Sequence, residues 1–272
     1  MAELDALDRL GPGDHACLVF DDESVWARGV ASFIRSGLRR HLRIMYCGRD
    51  ADRLPAILGG LGLNVGAALE SGQLALAGVD TAYLRKGVFD PEASLLAWAA
   101  QVAAARAAGY RGMVGIGDMS WACRYAGIEQ LAWYEAQVNR ICVDGFTMGV
   151  CLYDRRLFSE PDLRRVTRTH PAPLLRAVRT SEPRGLRVAG EADLSNRQAL
   201  RAVVEHLIED TAAGPEPVTL DLSDLRFADS AAARILLTPA RGTPLRVTGV
   251  SGPLRRLLDF HWSGPPEDLR IE

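Results

Sequence analysis

The sequence predicts an α/β protein with two domains, a three-layer N-terminal domain and a smaller C-terminal domain. Three observations indicate this. Short apolar segments alternate along the chain with longer segments whose apolar residues recur every three to four positions. Strands that are apolar throughout and alternate with helices are typical of a mostly parallel sheet covered on both faces. Finally, all five cysteines lie before residue 152 and all six tyrosines before residue 154, so the composition changes along the chain.

The N-terminal part contains strand-like segments separated by segments with helical periodicity. This order predicts a parallel sheet with helices on both of its faces. The predicted strands are Ala16–Phe20, Arg43–Cys47, Leu74–Ala77, Gly112–Ile116 and Thr147–Leu152, and the predicted helices are Ser24–Arg39, Ala51–Leu61, Glu92–Ala108 and Glu129–Val143.

The C-terminal part repeats this alternation on a smaller scale. Its first helix places Leu200, Val203 and Leu207 on one face, as a helix packed on a sheet requires. A polar stretch with Pro183 and Gly185 precedes it. We therefore predict domains over 1–177 and 186–272, joined by a linker over 178–185. The predicted elements are strands Leu186–Ala189, Val218–Leu222 and Leu245–Val250, and helices Asn196–Asp210, Ser230–Leu237 and Pro253–Phe260.

Composition excludes several classes of partner. The formal net charge is −2 and no block of like charge occurs, so we expect neither direct nucleic-acid binding nor membrane binding. Met1–Leu10 is acidic where a secretory signal would be basic and then apolar, and no apolar run reaches the ~18–20 residues of a membrane span. The cysteines are odd in number and form no CxxC pair, which favours reduced thiols in the cytoplasm. No cofactor is predicted.

The string Val218–Ala233 (VTLDLSDLRFADSAAA) leads from a buried strand into a helix of small residues. Asp229 and Ser230 stand where that helix begins, and both residue types are common helix caps. A phosphate on Ser230 would gain from the helix dipole and would present a large negative charge to a partner. Two interpretations stay open: a phospho-acceptor serine preceded by Asp229, or a plain helix cap.

A His-x-Cys pair opens the first predicted strand. Residues two apart in a strand face the same side, so His15 and Cys17 point together. Such ligands can belong to a metal site, but zinc takes three or four and no CxxC or HxxxH motif supplies the others. We therefore predict no metal site and keep both residues as candidates for ligand sensing. The alternative is a structural histidine beside a buried thiol.

Two further polar pairs are candidates for binding a ligand. Asp118 and Trp121 follow a predicted strand, and open α/β sheets bind ligands at the carboxyl ends of strands. Glu135 and Asn139 lie four residues apart on one face of the last predicted helix of this domain, beside its apolar stripe. For Asp118 and Trp121 the alternative is an acidic helix cap beside a packed tryptophan. For Glu135 and Asn139 it is a solvent-exposed edge of the helix.

Three strings of the C-terminal part resemble the landmark strings of STAS domains, in that family's order. They are VAGEADLSN at Val188–Asn196, LDLSDLRFADS at Leu220–Ser230 and VSGPLRRLLDF at Val250–Phe260. The resemblance covers about residues 184–272 and implies a module like the anti-sigma-factor antagonists, which binds a serine protein kinase or anti-sigma factor. It also implies that the partner kinase phosphorylates Ser230 and that the phosphate breaks the complex.

One departure from the STAS pattern concerns the serine itself. The family commonly reads Asp-Ser-Ser-Gly, whereas this chain reads Asp229-Ser230-Ala231-Ala232. The missing glycine changes how closely a partner loop can approach. Partner binding without phosphorylation therefore stays open as an alternative.

Five strings of the N-terminal part resemble the MEDS domain, the methanogen/methylotroph sensory domain of the DcmR type, over about residues 11–175. They are HACLVF from His15, GDMSW from Gly117, the helix with Tyr134-Glu135 and Asn139, CLYDRRLF from Cys151 and RTHP from Arg168. The resemblance implies a RecA/KaiC-like core that senses a small molecule. The positions that match the family are His15, Cys17, Trp121, Tyr134, Glu135, Asn139, Tyr153, Asp154 and His170, while Asp118 stands where glutamate is usual.

A RecA-like core raises the question of ATP. The phosphate-binding GxxxxGK[ST] loop is absent, because Lys86 is the only lysine and Gly87-Val88 follows it. Without that loop and its lysine the β- and γ-phosphates lose their main ligands. We do not expect ATP hydrolysis.

Together the two resemblances predict a signal-transduction regulator that is not an enzyme. A small molecule or a redox change at the first domain would control docking of the second domain on a serine kinase or anti-sigma factor. The sensed ligand is not identified by the sequence. The alternatives are a thiol-dependent enzyme and a heme or metal sensor, both using His15 and Cys17.

Overall fold

A parallel five-stranded sheet forms the centre of the N-terminal domain. The computed structural model describes residues 10–211, 217–241, 244–265 and 268–272. The strands of this domain are β1 (His15–Phe20), β2 (Arg43–Cys47), β3 (Leu74–Ala77), β4 (Leu84–Arg85), β5 (Val88–Phe89), β6 (Met113–Asp118) and β7 (Thr147–Asp154). The sheet order is β1-β7-β6-β2-β3, and β4 and β5 form a separate short hairpin.

Helices connect the parallel strands, as crossovers between parallel strands require. The helices are α1 (Glu23–Arg39), α2 (Leu54–Gly60), α3 (Gly66–Glu70), α4 (Val79–Ala82), α5 (Pro91–Ala107), α6 (Ala122–Tyr125), α7 (Ile128–Cys142) and α8 (Glu160–Thr167), with a 3₁₀ turn at Met119–Trp121. Local sequence determines where several of them begin. Asp22, Asp90 and Ser159 are the N-caps of α1, α5 and α8, and each side chain accepts a backbone N–H of the first turn.

The two faces of this sheet carry different cores, which gives the domain three layers. Adjacent residues of a strand point to opposite faces. On one face Val150 and Leu152 pack with the apolar stripe of α1. On the other face Cys151 and Tyr153 pack with Tyr134 and other residues of α7. The predicted fold class is confirmed.

A second five-stranded sheet forms the C-terminal domain, in the order β12-β11-β10-β9-β8. Its strands are β8 (Leu175–Ser181), β9 (Arg184–Ala192), β10 (Val218–Ala228), β11 (Leu245–Thr248) and β12 (Leu269–Ile271), and its helices are α9 (Arg197–Thr211), α10 (Ser230–Leu236) and α11 (Gly252–His261). All neighbouring strands are parallel except β8 and β9. The predicted helical stripe of Leu200, Val203 and Leu207 lies in the core of this domain.

The segment predicted as a linker, 178–185, has a different structure. It forms most of β8, the turn and the start of β9, which pair as an antiparallel hairpin with Ser181 opposite Arg184. Thr180 Oγ1 donates to the carbonyl of Pro183 across the turn (2.7 Å). The polar composition that indicated a linker has another cause: β8 is an edge strand, and four of its seven residues are polar.

The two domains contact each other through α7 and α9. Arg140 of α7 forms an ion pair with Glu209 of α9, and its Nη2 atom lies 3.2 Å from Nδ1 of His206. Val143, just after α7, packs in the C-terminal core, and its carbonyl accepts the Arg179 N–H of β8 (2.7 Å). One helix therefore belongs to the N-terminal core and also supports the second domain.

Two expectations concern membranes and secretion. Among the described residues, none of the helices combines the length and hydropathy that a bilayer span needs. The sequence predicts no secretory signal in Met1–Leu10. Residues 1–9 of that segment lie outside the part of the chain that the structure describes.

Candidate functional site

A cluster of polar side chains is buried between the N-terminal sheet and α7. It consists of His15, Glu135, Cys151 and His170, whose ligand-type atoms all lie within 4.8 Å of one another. His15 and Glu135 have no exposed surface at all. Buried polar groups persist in a core only when they satisfy one another or hold a ligand. The cluster is therefore the main candidate site of this domain.

Strand register brings His15 and Cys151 together. His15 is the first residue of β1 and lies opposite Gly149 of β7, while Cys17 lies opposite Cys151. Residues 149 and 151 share a face of β7, the face on which the His15 ring lies. A Cβ atom at Gly149 would lie only 2.7 Å from His15 Cδ2, so the absence of a side chain there makes room for the imidazole.

Helix α7 and the segment after α8 provide the other two members. Asn139, one turn after Glu135, donates from Nδ2 to the carbonyl of Thr169 (2.9 Å) and so connects α7 to the segment that carries His170. His170 Nδ1 lies 2.8 Å from the carbonyl of Val166 at the end of α8. Both contacts limit where the His170 ring can lie.

The Glu135 carboxylate is the centre of the cluster. Its Oε1 atom accepts the hydroxyl of Tyr153. Its Oε2 atom accepts the Cys151 thiol at 3.2 Å, and the Nε2 atoms of His15 and His170 both lie 3.5 Å from it. His15 Nε2 also lies 3.4 Å from Cys151 Sγ, and the two imidazole ring centroids are 4.2 Å apart.

The electrostatics of the cluster follow from burial and from these contacts. Burial, reinforced by His170, lowers the pKa of His15 to about 4, so this imidazole is neutral near pH 7. Burial opposes ionisation of Glu135, but His170 and His15 outweigh it and hold the pKa of the carboxyl below its usual range. Burial and the nearby carboxylate raise the pKa of the Cys151 thiol well above its usual value.

An aromatic group continues the same layer. Trp121 stacks on Tyr83 with a centroid distance of 4.7 Å, and Phe89 packs against both Trp121 (4.8 Å) and Tyr134 (5.5 Å). An apolar cavity of about 30 Å³ lies beside this group, and its lining includes Tyr134 and Cys151. The structure therefore places the predicted residues Trp121 and Tyr134 next to the polar cluster, in an apolar wall.

The predicted residues Asp118 and Asp154 lie elsewhere, at the carboxyl edge of the sheet. Asp118 accepts Arg49 Nε (2.8 Å) and caps the 3₁₀ turn, and Asp154 accepts Arg156 Nε (2.8 Å). Glu23 accepts from both arginines, so these charges form one network. In the structure Asp118 is paired with Arg49, whereas Trp121 is packed among aromatic rings.

The start of α1 also lies at this edge, and a helix N-terminus of this kind can bind a phosphate. Asp22 Oδ1 accepts the N–H groups of Ser24 (2.7 Å) and Val25 (3.3 Å). The chain's own carboxylate thus occupies donors that a phosphate would use.

Ser230 of the C-terminal domain is exposed and is the first residue of α10. Asp229 is the N-cap, and its Oδ1 accepts the N–H of Ala232 (2.7 Å). The Asp229 N–H in turn donates to the carbonyl of Ala192 at the end of β9 (3.0 Å). The aspartate therefore caps the helix while the serine hydroxyl faces solvent.

Sequence reasoning missed Cys151 and Arg49. A signal for Cys151 was present, because it lies two residues before Tyr153 in a strand and must share its face. Arg49 had no comparable signal, since it lies in a turn after β2 and meets Asp118 only in the folded chain.

The chain is thus a three-layer α/β domain with a buried polar cluster, followed by a smaller α/β domain with an exposed serine at the start of a helix. The family model for MEDS, described as the methanogen/methylotroph, DcmR sensory domain, matches residues 14–171. A STAS model described as Mlab, STAS domain, matches residues 175–260. The chain belongs to the MEDS family and carries a STAS domain after it, so both predicted resemblances are confirmed and the domain pair is that of a signalling regulator. No curated protein matches the chain.

Proposed function

We propose that this chain is a cytoplasmic regulator without enzymatic activity, in which the MEDS domain controls docking of the STAS domain on a serine kinase or anti-sigma factor. A small molecule or a redox change at the buried cluster is the input. Phosphorylation of Ser230 is the step that releases the partner. The observation that carries the proposal is the position of α7, which contributes residues both to the buried cluster and to the interface with the second domain.

Different sides of α7 make these two sets of contacts. Glu135 and Asn139 point into the buried cluster, whereas Arg140 binds Glu209 and His206 of α9. Helix α9 in turn lies in the same core as α10, which begins at Ser230. A shift of α7 would therefore reach the serine through packed helices, which are the elements that transmit two-state changes.

The cavity beside Cys151 gives a physical reason for such a shift. Its volume of about 30 Å³ leaves room for only one or a few water-sized molecules. Any larger apolar ligand must move α7 or the aromatic group that borders it. A ligand that binds one position of α7 better than another shifts the equilibrium between the two.

The surface around Ser230 supports docking of a protein partner. Leu194 and Phe227 are each 52% exposed. Leu194 follows β9 and Phe227 lies near the end of β10, the two neighbouring strands that end beside Asp229. Exposed apolar side chains can form a protein interface. A phosphate on the serine beside them would place negative charge at the centre of that interface.

Burial of the Cys151 thiol supports a regulatory rather than a catalytic role for the cluster. A nucleophilic cysteine needs a lowered thiol pKa and access to substrate. Here the pKa of Cys151 is raised and the residue is buried, and His15, the base that a thiol-dependent enzyme would use, is also buried.

The direct test is phosphorylation of the full chain by a candidate partner kinase with ATP, followed by intact-mass analysis. We expect a mass gain of one phosphate in the wild type and none in Ser230→Ala. The matched control is Ser251→Ala, because Ser251 is also exposed at the start of a helix of the same domain. A gain that survives in Ser230→Ala would move the acceptor elsewhere.

Partner binding is measured separately by titration calorimetry. Ser230→Asp should weaken binding of the kinase or anti-sigma factor at least about tenfold, since a charge at this position opposes docking. Ser251→Asp should leave the affinity unchanged. Equal affinities for both variants would contradict docking at Ser230.

A further inference from the structure

We propose that His15, Glu135, Cys151 and His170 bind one divalent transition-metal ion, of the zinc or cobalt class. This proposal rests on the geometry of the cluster and goes beyond the docking function, which neither requires nor excludes a metal. Imidazole nitrogen, thiolate sulfur and carboxylate oxygen are the ligands that zinc takes in proteins.

The spacing of the ligand atoms fits a tetrahedral ion. Metal–ligand bonds of ~2.0–2.3 Å give ligand–ligand distances of ~3.3–3.8 Å around a tetrahedral centre. Four pairs in the cluster lie at 3.2–3.5 Å: Glu135 Oε2 with Cys151 Sγ, with His15 Nε2 and with His170 Nε2, and His15 Nε2 with Cys151 Sγ. No pair of ligand atoms exceeds 4.8 Å, so closure around an ion needs movements of about 1 Å.

An unsatisfied nitrogen is the second observation. His170 Nε2 is buried and has no hydrogen-bond partner among the described residues. The Nδ1 atom of the same ring faces the Val166 carbonyl at 2.8 Å, and a carbonyl only accepts, so Nδ1 carries the proton. The Nε2 atom therefore points at Glu135 Oε2, 3.5 Å away, and a metal ion between these two atoms would bind both of them.

Charge balance suits a buried dication. The Cys151 thiol would lose its proton to solvent on binding, as metal-ligating thiols do. Thiolate and carboxylate then supply two negative charges, and the imidazoles supply none. The complete centre is neutral, which removes the cost of burying an unpaired charge.

Contacts outside the four ligands hold them in place. Tyr153 donates to Glu135 Oε1 and leaves Oε2 for the ion. The Val166 carbonyl fixes the tautomer of His170, and Asn139 holds the segment that carries it. Metal-ligating histidines commonly donate their other ring N–H in this way.

The test is cobalt substitution of the full chain. The purified protein is stripped with a chelator, loaded with Co²⁺ during refolding, dialysed and measured by metal analysis and absorption. We expect about one Co²⁺ per chain, the visible bands of a tetrahedral site and a near-ultraviolet thiolate-to-cobalt band. Wild-type protein that retains no metal and shows no such band would overturn the proposal, and the cluster would then hold protons only.

Two variants assign the ion to this cluster. Cys151→Ser should lose the thiolate band, whereas Cys47→Ser, at a buried thiol on the same sheet face, should keep it. Persistence of the band in Cys151→Ser would place the metal elsewhere. His170→Gln should retain no stoichiometric Co²⁺ and provides a second variant should Cys151→Ser fail to fold.

Tyr153→Phe tests the positioning contact. This variant keeps all four ligands and removes only the hydrogen bond to Glu135. We expect Co²⁺ affinity to fall about 10- to 100-fold with the thiolate band intact. An unchanged affinity would contradict the monodentate role given to Glu135.

Discussion

The His15 imidazole lies over Gly149, its partner in the β1–β7 register, and a Cβ atom at position 149 would lie 2.7 Å from His15 Cδ2. Real Cβ atoms do not approach this closely, so the glycine creates the space that the imidazole occupies. The ring then meets Glu135 and Cys151 at hydrogen-bonding or near-hydrogen-bonding distances. A single missing side chain on β7 therefore permits the buried cluster to form.

We predict that Gly149→Ala destabilises the N-terminal domain by about 1–3 kcal/mol, because the new methyl group must displace a fully buried ring. The measurement is urea unfolding followed by tryptophan fluorescence. Gly59→Ala is the control, since nothing lies within 4 Å of a Cβ there and the residue is in helix α2. Equal unfolding midpoints for the two variants would contradict the packing argument.

Glu135 should contribute far more to stability than another glutamate of the same helix. Glu135→Gln replaces a buried carboxylate that accepts from both Cys151 and Tyr153, and it should cost about 3 kcal/mol because the single amide oxygen leaves buried donors unsatisfied. Glu129→Gln breaks an exposed ion pair with Arg165 and should cost at most about 1 kcal/mol. Both are measured by chemical unfolding after chelator treatment, and a smaller loss for Glu135→Gln than for Glu129→Gln would refute the assignment of Glu135 as the cluster centre.

The carboxyl-edge network should make stability depend on pH through Asp154. Hydrogen bonds from Arg156 lower the pKa of Asp154 below its ordinary value of 3.8. Its contribution to stability is therefore complete above about pH 5 and is lost as the pH falls below 3.8 through the folded-state value. The stability difference between the wild type and Asp154→Asn should shrink over that window. The control is Asp52→Asn, which changes an exposed carboxylate in a turn. The prediction would be contradicted if the stability difference between the wild type and Asp154→Asn did not change with pH.

Asp229 should stabilise α10 by its capping bond. Asp229→Ala removes the acceptor for the Ala232 N–H and should destabilise the STAS domain by about 1 kcal/mol. Ser251 is the N-cap of α11 but forms no side-chain cap bond, so Ser251→Ala should change stability little. The two variants are compared by thermal unfolding of the full chain. A similar loss of stability in both would contradict the stabilising role of the Asp229 capping bond.

The regular core of the fold could be predicted because its signals are local. Strands β1, β2, β3, β6 and β7 are apolar throughout or nearly so, and their positions were predicted within a few residues. The strands that were missed are short or lie at edges, such as β8 and β12, where one side meets solvent and the apolar pattern is weak. Strand β10 extends beyond its predicted end because Ser223, Asp224 and Arg226 are exposed residues of a pleated strand rather than turn residues.

The residues of the site could be named in part, but their grouping could not be predicted. His15, Glu135 and His170 each belong to a motif that the sequence contains. Their association depends on the β1–β7 register and on the Asn139 contact with Thr169, which join residues 30 to 136 positions apart. Asp118 and Asp154 belong to two other motifs of the same domain, and they pair with Arg49 and Arg156 at the sheet edge.

By itself the sequence determined the order of strands and helices, the two families and the candidate residues, since these depend on local periodicity and on short strings. Only the tertiary structure decided which side chains meet. Alternation along β7 sends Cys151 and Tyr153 to one face and Leu152 to the other, and parallel pairing then places His15 beside them. Distances between side chains remote in sequence are fixed by strand register and helix packing, which no single segment of the chain encodes.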